Sequence, residues 1–119
     1  MKVVTPISVG ELLDKISILS IKSQYTTSEY VKKELQDLIN IAKKYQVYDA
    51  TYISELLQVN HKLWKIEDDL RVLEKSQDFG ETFIELARSV YITNDLRSSL
   101  KKEIDENYNS YYREIKVHK

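Results

Sequence analysis

The sequence predicts an all-α protein, an antiparallel bundle of about four helices, and three observations carry that expectation. Only two glycines and one proline occur in 119 residues, whereas sheets joined by tight turns need more of both. Apolar residues recur at alternating steps of four and three over long stretches, the spacing of a helix that buries one stripe. Short polar segments with capping-box spacing separate those stretches. Four such helices joined by short loops bury their stripes most simply against one another.

Met1 to Thr5 is short and rich in β-branched side chains, and Pro6 disfavours helix at Thr5, so an extended lead-in is expected. Ser8-Val9-Gly10-Glu11 then has the spacing of a capping box and opens a helix over about Val9 to Ser23. Val9, Leu12, Leu13, Ile16 and Leu19 form its wide face, while Ile18 and Ile21 lie off it, which predicts contact from two sides. Thr26-Thr27-Ser28-Glu29 repeats the capping pattern before a second helix, about Ser28 to Tyr45, with the stripe Val31, Leu35, Leu38, Ala42, Tyr45. Gln46 to Ala50 reads as a joint. The third helix, about Thr51 to Lys75, carries an unbroken seam of Tyr52, Leu56, Val59, Leu63, Ile66, Leu70 and Leu73. Asp78-Phe79-Gly80-Glu81 offers another capping box, and a fourth helix runs on to about Asn107. Arg113 to His118 partly alternates, which suggests a small two-strand pairing with Lys2 to Thr5. The length suits a single helical domain over 1–119.

Composition narrows the function. Apolar residues make up 42% and charged ones 31%, a globular balance. With 18 basic and 19 acidic side chains the net charge is -1, which lacks the basic excess that nucleic-acid binding requires. The absence of cysteine rules out a disulfide framework, a thiolate zinc site and a cysteine nucleophile, and is compatible with a reducing cytoplasm. No apolar run approaches the ~18–20 residues of a membrane span, and the first residues lack the apolar stretch of a secretory signal. The expectation is a soluble cytoplasmic protein without nucleic-acid or membrane partners.

The seam of the fourth helix runs Phe79, Phe83, Leu86, Val90, Thr93, Arg97, Leu100, Ile104, so Thr93 and Arg97 interrupt it, with Asn94 beside them. A charge at a seam position costs several kcal/mol if desolvated alone. Arg97 therefore sits in a buried polar layer, emerges into water, or holds a ligand. On the third helix the neighbouring row Ile53, Leu57, Asn60, Trp64, Glu67, Arg71, Glu74 begins apolar and turns polar. Glu67 and Arg71 have the spacing of an intrahelical ion pair; alternatively Asn60, Glu67 and Arg71 wall a polar cleft floored by Trp64. There are 14 lysines but only four arginines, Arg71, Arg88, Arg97 and Arg113, which suits placement of the planar fork where bidentate contact matters. Arg88 has Glu85 and Asp95 near its face. Glu11, Asp14, Lys15 and Lys22 share one arc of the first helix, the pattern of a solvated face or of a contact with a neighbour.

Three stretches carry a resemblance: Pro6-Ile7-Ser8-Val9-Gly10-Glu11-Leu12-Leu13-Asp14-Lys15, Val59-Asn60-His61-Lys62-Leu63-Trp64-Lys65-Ile66-Glu67-Asp68, and Phe83-Ile84-Glu85-Leu86-Ala87-Arg88-Ser89-Val90-Tyr91-Ile92-Thr93-Asn94-Asp95. With these motifs the chain resembles, over nearly its whole length, a group of short bacterial and phage proteins common in marine genomes and grouped as a domain of unknown function. The resemblance implies no particular activity. It implies that Glu11, Asp14, Lys15, Asn60, Trp64, Glu67, Arg88, Asn94, Asp95 and Arg97 fall within or beside recurring motifs.

Catalytic chemistry finds little support. The only histidines, His61 and His118, complete neither a di-iron Glu-x-x-His motif nor a zinc site, and the phosphate-loop, dinucleotide and nucleophile-elbow motifs are absent. Helical nucleotide pyrophosphohydrolases need a cleaner set of paired acids, and helical chorismate mutases need an arginine on the first helix. No metal, cofactor or catalytic residue is assigned. The expected function is a non-enzymatic helical interaction module, a homo-oligomer or a docking partner of another protein, which nine tyrosines would suit. The alternative is a site for an anionic or phosphorylated metabolite between helices one, three and four. There Arg71, Arg88 and Arg97 would clamp the anion, Glu67 and Asp95 would orient them or act as acid/base groups, and Trp64 would line the cleft.

Overall fold

Ser8 starts the first helix as its spacing predicts, its Oγ accepting from the Glu11 amide at 3.1 Å. The computed structural model describes residues 1–118, and four helices follow in chain order. These are α1 Val9–Tyr25, α2 Glu29–Lys44, α3 Ala50–Lys75 and α4 Glu81–Asn107, with bounds within two residues of those expected. The capping boxes expected before α2 and α4 do not form as such, and α3 has a cap that its spacing did not predict. Asp49 caps α3 by accepting from the Tyr52 amide at 3.0 Å. Ser28 makes no side-chain cap bond. Asp78 accepts from the Gly80 amide at 3.1 Å, so Gly80, not Asp78, is the N-cap of α4.

Three helices stop alike. Gln46, Gln77 and Asn109 each adopt positive φ, at 59°, 55° and 49°. In each case the following amide bonds back to the carbonyl five residues earlier: Val47 to Ala42, Asp78 to Leu73, Ser110 to Asp105. This is the Schellman stop, which glycine usually occupies because a Cβ disfavours the left-handed region. Neither glycine of this chain is used there.

Packing explains why α1 has two apolar faces. It contacts α2, α3 and α4, whereas α2 contacts no helix but α1. The core follows: Leu12, Leu13 and Ile16 from α1 join Ala42, Ile53, Leu56 and Ile104, and Ile21, off the main face, is buried as well. Tyr52 meets Tyr108 edge-on while Glu74 and Phe83 line one hollow, so α3 and α4 run antiparallel. The result is a three-helix packing of α1, α3 and α4 with α2 laid outside α1.

The α3–α4 hairpin is longer than the helix that covers it. α1 ends at Tyr25, whose ring stacks on Trp64 with centroids 5.1 Å apart. Beyond Trp64, α3 continues for three turns, about 16 Å. No residue from Glu67 through Ile92 is buried. Leu70, Leu73, Phe83, Leu86 and Val90 hold the expected seam there but are only half-buried, because two helices alone leave one side of a seam open. We call residues 67–92 the arm and the remainder the body.

The expected strand pairing of Lys2–Thr5 with Arg113–His118 does not form; among the described residues there is no strand. The segment after α4 turns back along α4 instead, because its polar groups find partners there. The Glu114 amide donates to Asp105, Glu114 pairs with Lys101, and Lys116 reaches Asp95 at 2.8 Å.

Candidate functional site

Two polar constellations lie where α1 crosses α3 and α4. The first centres on Asp14, whose side chain is fully buried. Arg97 lies against it side-on, Nε at 3.1 and 3.2 Å from the two carboxylate oxygens and Nη2 bonded to Oδ2. Asn60 donates to Asp14 Oδ1 and to Ser17 Oγ, both at 2.8 Å, and Ser17 in turn donates to the Asp14 carbonyl. The hydrogen-bonded Asp14 carboxylate raises the Arg97 pKa above its usual value. Arg97 thus interrupts the α4 seam because its counter-charge projects from α1. The remaining edge, Nη1, has no protein acceptor among the described residues, and the side chain stays 29% exposed. One turn earlier on α4, the buried Thr93 hydroxyl has no partner among the described residues.

The second constellation joins the two ends of the helical region. Asp105, fully buried, accepts from the Gly10 amide at 2.7 Å and the Glu114 amide at 2.7 Å. Ser110 accepts from the Val9 amide at 3.0 Å. These bonds satisfy two of the free amides at the start of α1, where negative charge also meets the favourable end of the helix dipole. Gly10 is required for the approach: a Cβ there would lie 2.6 Å from the Lys101 carbonyl oxygen and 2.8 Å from the Asp105 carboxylate. Beside it Lys101 bonds Glu11 at 2.7 Å and reaches Glu114 at 3.3 Å. Burial opposes the Lys101 charge, but the Glu11 hydrogen bond and the charges of Glu11 and Glu114 outweigh it and raise its pKa.

Of the residues singled out in the sequence, Asp14, Asn60 and Arg97 come together, with Glu11 close by through Lys101. Lys15 and Arg88 are exposed, and Arg88 lines neither of the hollows described next. Trp64 is taken up by Tyr25. Glu67 and Arg71 lie on the arm and do not pair within 4.0 Å of each other among the described residues; an exposed pair at this spacing gains only about 0.3–0.5 kcal/mol, too little to hold two long side chains. Asp95 pairs with Lys116, so it does not join Arg88. Lys101, Asp105, Ser110 and Glu114 were not singled out. Acids crowding the last turn of α4 without a base, against the helix dipole, were the available signal.

Two hollows remain. A groove of about 710 Å³ lies between α4 and the following segment, lined by Asn94, Asp95, Arg97, Ser98 and Lys101 among others. Each lysine and arginine lining it is already paired, Arg97 with Asp14, Lys101 with Glu11 and Glu114, and Lys116 with Asp95. The second hollow, about 390 Å³, runs along the arm between Glu67, Leu70, Arg71 and Glu74 of α3 and Phe83, Ala87 and Val90 of α4. The three arginines of the expected anion clamp therefore do not converge: Arg71 is on the arm, Arg97 in the body and Arg88 in solvent.

Among the described residues no group of three or more acidic or histidine side chains is placed to hold a metal ion, and no helix is long and apolar enough to cross a membrane. Comparison with curated proteins and with solved structures gave no match. The family model described as "Family of unknown function (DUF6165)" matches residues 1–119, so the chain belongs to that family.

Proposed function

We propose that this protein is a non-enzymatic helical interaction module that docks another protein on the open face of its arm. The observation that carries the reading is the half-buried seam. Leu70, Phe83 and Val90 follow the spacing of an interior face, yet no third helix covers them. The accessible surface, 8663 Å², exceeds by roughly 2,000 Å² the ~6,700 Å² expected of a compact monomer of this mass. The extended terminal segments contribute to that excess, and so does the arm; the excess is more than the ~800 Å² that one partner contributes to a standard interface. The radius of gyration, 16.0 Å, is likewise above the ~13–14 Å expected for the chain length.

A photo-crosslinking residue tests this reading. Arg71→benzoylphenylalanine places the probe at the exposed rim of the arm hollow, and the same replacement at exposed Lys33 on α2 is the control. In the source cell, position 71 is expected to give a protein adduct that position 33 does not. No adduct at 71, or the same adducts at both positions, overturns the proposal.

A further inference from the structure

We infer that the arm receives a basic amphipathic helix of about three turns, seated end to end with α1 on the same face of the α3–α4 hairpin; this rests on the docking reading above. The face is continuous. In the body, α1 lies over the row of α3 that contains Asn60 and Trp64 and over Arg97 of α4. In the arm the same α3 row continues as Glu67, Arg71 and Glu74, and α4 contributes Val90, Ala87 and Phe83. The groove that receives α1 thus runs on past Tyr25, with Leu70 and Phe83 as floor and charged residues at its edge. A groove between two helices takes a third through apolar anchors at i, i+3, i+4 and i+7, and about 16 Å accommodates roughly ten to twelve helical residues.

Charge selects the class of helix. Between residues 67 and 92 there are seven acidic and three basic side chains, whereas the whole chain has a net charge of only -1. The charged residues lining the hollow itself are Glu67 and Glu74 against the single base Arg71, so a second arm laid face to face would oppose two net-negative linings, which disfavours a second copy as the occupant. A helix with lysine or arginine flanking its apolar stripe would meet Glu67 and Glu74 with opposite charge, which fixes register and speeds encounter. Ala87, small among the residues that line the hollow, leaves room for a large apolar anchor.

The test uses the full chain and three synthetic amphipathic peptides of the same length. One carries lysine beside a leucine stripe, one carries glutamate in place of lysine, and one keeps the lysines with the leucine spacing scrambled. Trp64 is the only tryptophan and lies one turn before Glu67, so its fluorescence reads binding directly. The lysine peptide is expected to bind at least about tenfold more tightly than either control. Its binding should weaken severalfold above about 0.1 M salt, where screening is strong. Glu67→Lys with Glu74→Lys, both exposed positions, should reverse the preference toward the glutamate peptide, and Ala87→Arg should abolish binding of the lysine peptide. Equal binding of the three peptides, or binding indifferent to Ala87→Arg, overturns the inference. So does a dimer in sedimentation that Ala87→Arg dissociates, since a second copy would then be the occupant. A protein adduct at position 71 without preference for the lysine peptide sinks only the partner chemistry, whereas absence of any adduct sinks the docking reading itself.

Discussion

Leu56 and Leu70 occupy equivalent positions in one seam of α3, two heptads apart, and meet different surroundings. In the body Leu56 is sealed between α3, α4 and α1; in the arm Leu70 has only α4 beside it and stays half-buried. Periodicity records which side of a helix faces its neighbours, but depth of burial depends on how many neighbours arrive. A third helix reaches the body and stops at Tyr25. The polar groups follow the same division: the buried charged side chains of the body, Asp14, Lys101 and Asp105, are bonded across elements, while those lining the arm hollow face water.

The largest effect expected from this contrast is at Asp14. Asp14→Ala leaves Arg97 half-buried without its counter-charge and removes an acceptor of Asn60, and should cost about 3–5 kcal/mol in urea denaturation. A loss below about 1 kcal/mol would mean that the crossing is held by apolar contacts alone. Next, Leu56→Ala should cost about 3–5 kcal/mol and Leu70→Ala only about 1 kcal/mol in the same measurement; equal losses would erase the distinction between body and arm.

Tyr108 gives a smaller test, read through pH. Its hydroxyl donates to Asp49 at 2.6 Å, tying the exit of α4 to the cap of α3, and Tyr108→Phe should cost about 1.5–3 kcal/mol at neutral pH, as for a bond to a charged acceptor. The same bond pushes the Tyr108 pKa up to about 12 from 10.0. The protonated phenol is the form that folding favours, so this contribution is complete below about pH 10 and lost as pH rises toward 12. The Tyr108 bond, with the Tyr52 amide, also lowers the Asp49 pKa from its usual 3.8, so that contribution is present above about pH 4 and lost as pH falls through the lowered value. Tyr108→Phe should remove the alkaline loss and shrink the acid one; unchanged pH profiles would show that the bond does not govern them.

The smallest effect expected is a gain. Gln77, at φ 55°, ends α3 at the tip of the arm, and Gln77→Gly should stabilise that stop by about 0.5–1 kcal/mol. Because the arm opens more readily than the body, the gain should appear as slower amide exchange near residues 73–83 while exchange in the body is unaffected.

Much of this architecture was legible in the residues. The four helices follow from apolar spacing, above all the unbroken α3 seam, and from the Ser8 cap, and the off-face position of Ile21 correctly implied a helix contacted from two sides. Arg97 stood out as a charge in a seam. Its partner did not, because Asp14 shares an arc with Lys15 and Lys22, which are exposed, and periodicity cannot tell which member of a charged arc meets another helix. The left-handed geometry at Gln46 and Gln77 has no local signature, because glutamine does not favour that region; the local backbone bonds of the stop hold it there, whereas Asn109 is a residue that tolerates it. The alternation in Arg113–His118 has the pattern of a strand, whereas backbone and charge partners on α4 decide the path of the tail.

The clasp of Asp105 and Ser110 on the first amides of α1 has a consequence for how the chain is made. The donors leave the ribosome about 95 residues before Asp105, and at roughly 5–20 residues per second the interval is on the order of 5–20 s. During that time the start of the first helix has its Ser8 cap but not its later acceptors. Completion of the body is thus deferred until Asp105 and Ser110 have been made, and a pause shortly before them would prolong the exposure of the apolar residues of α1 to chaperones.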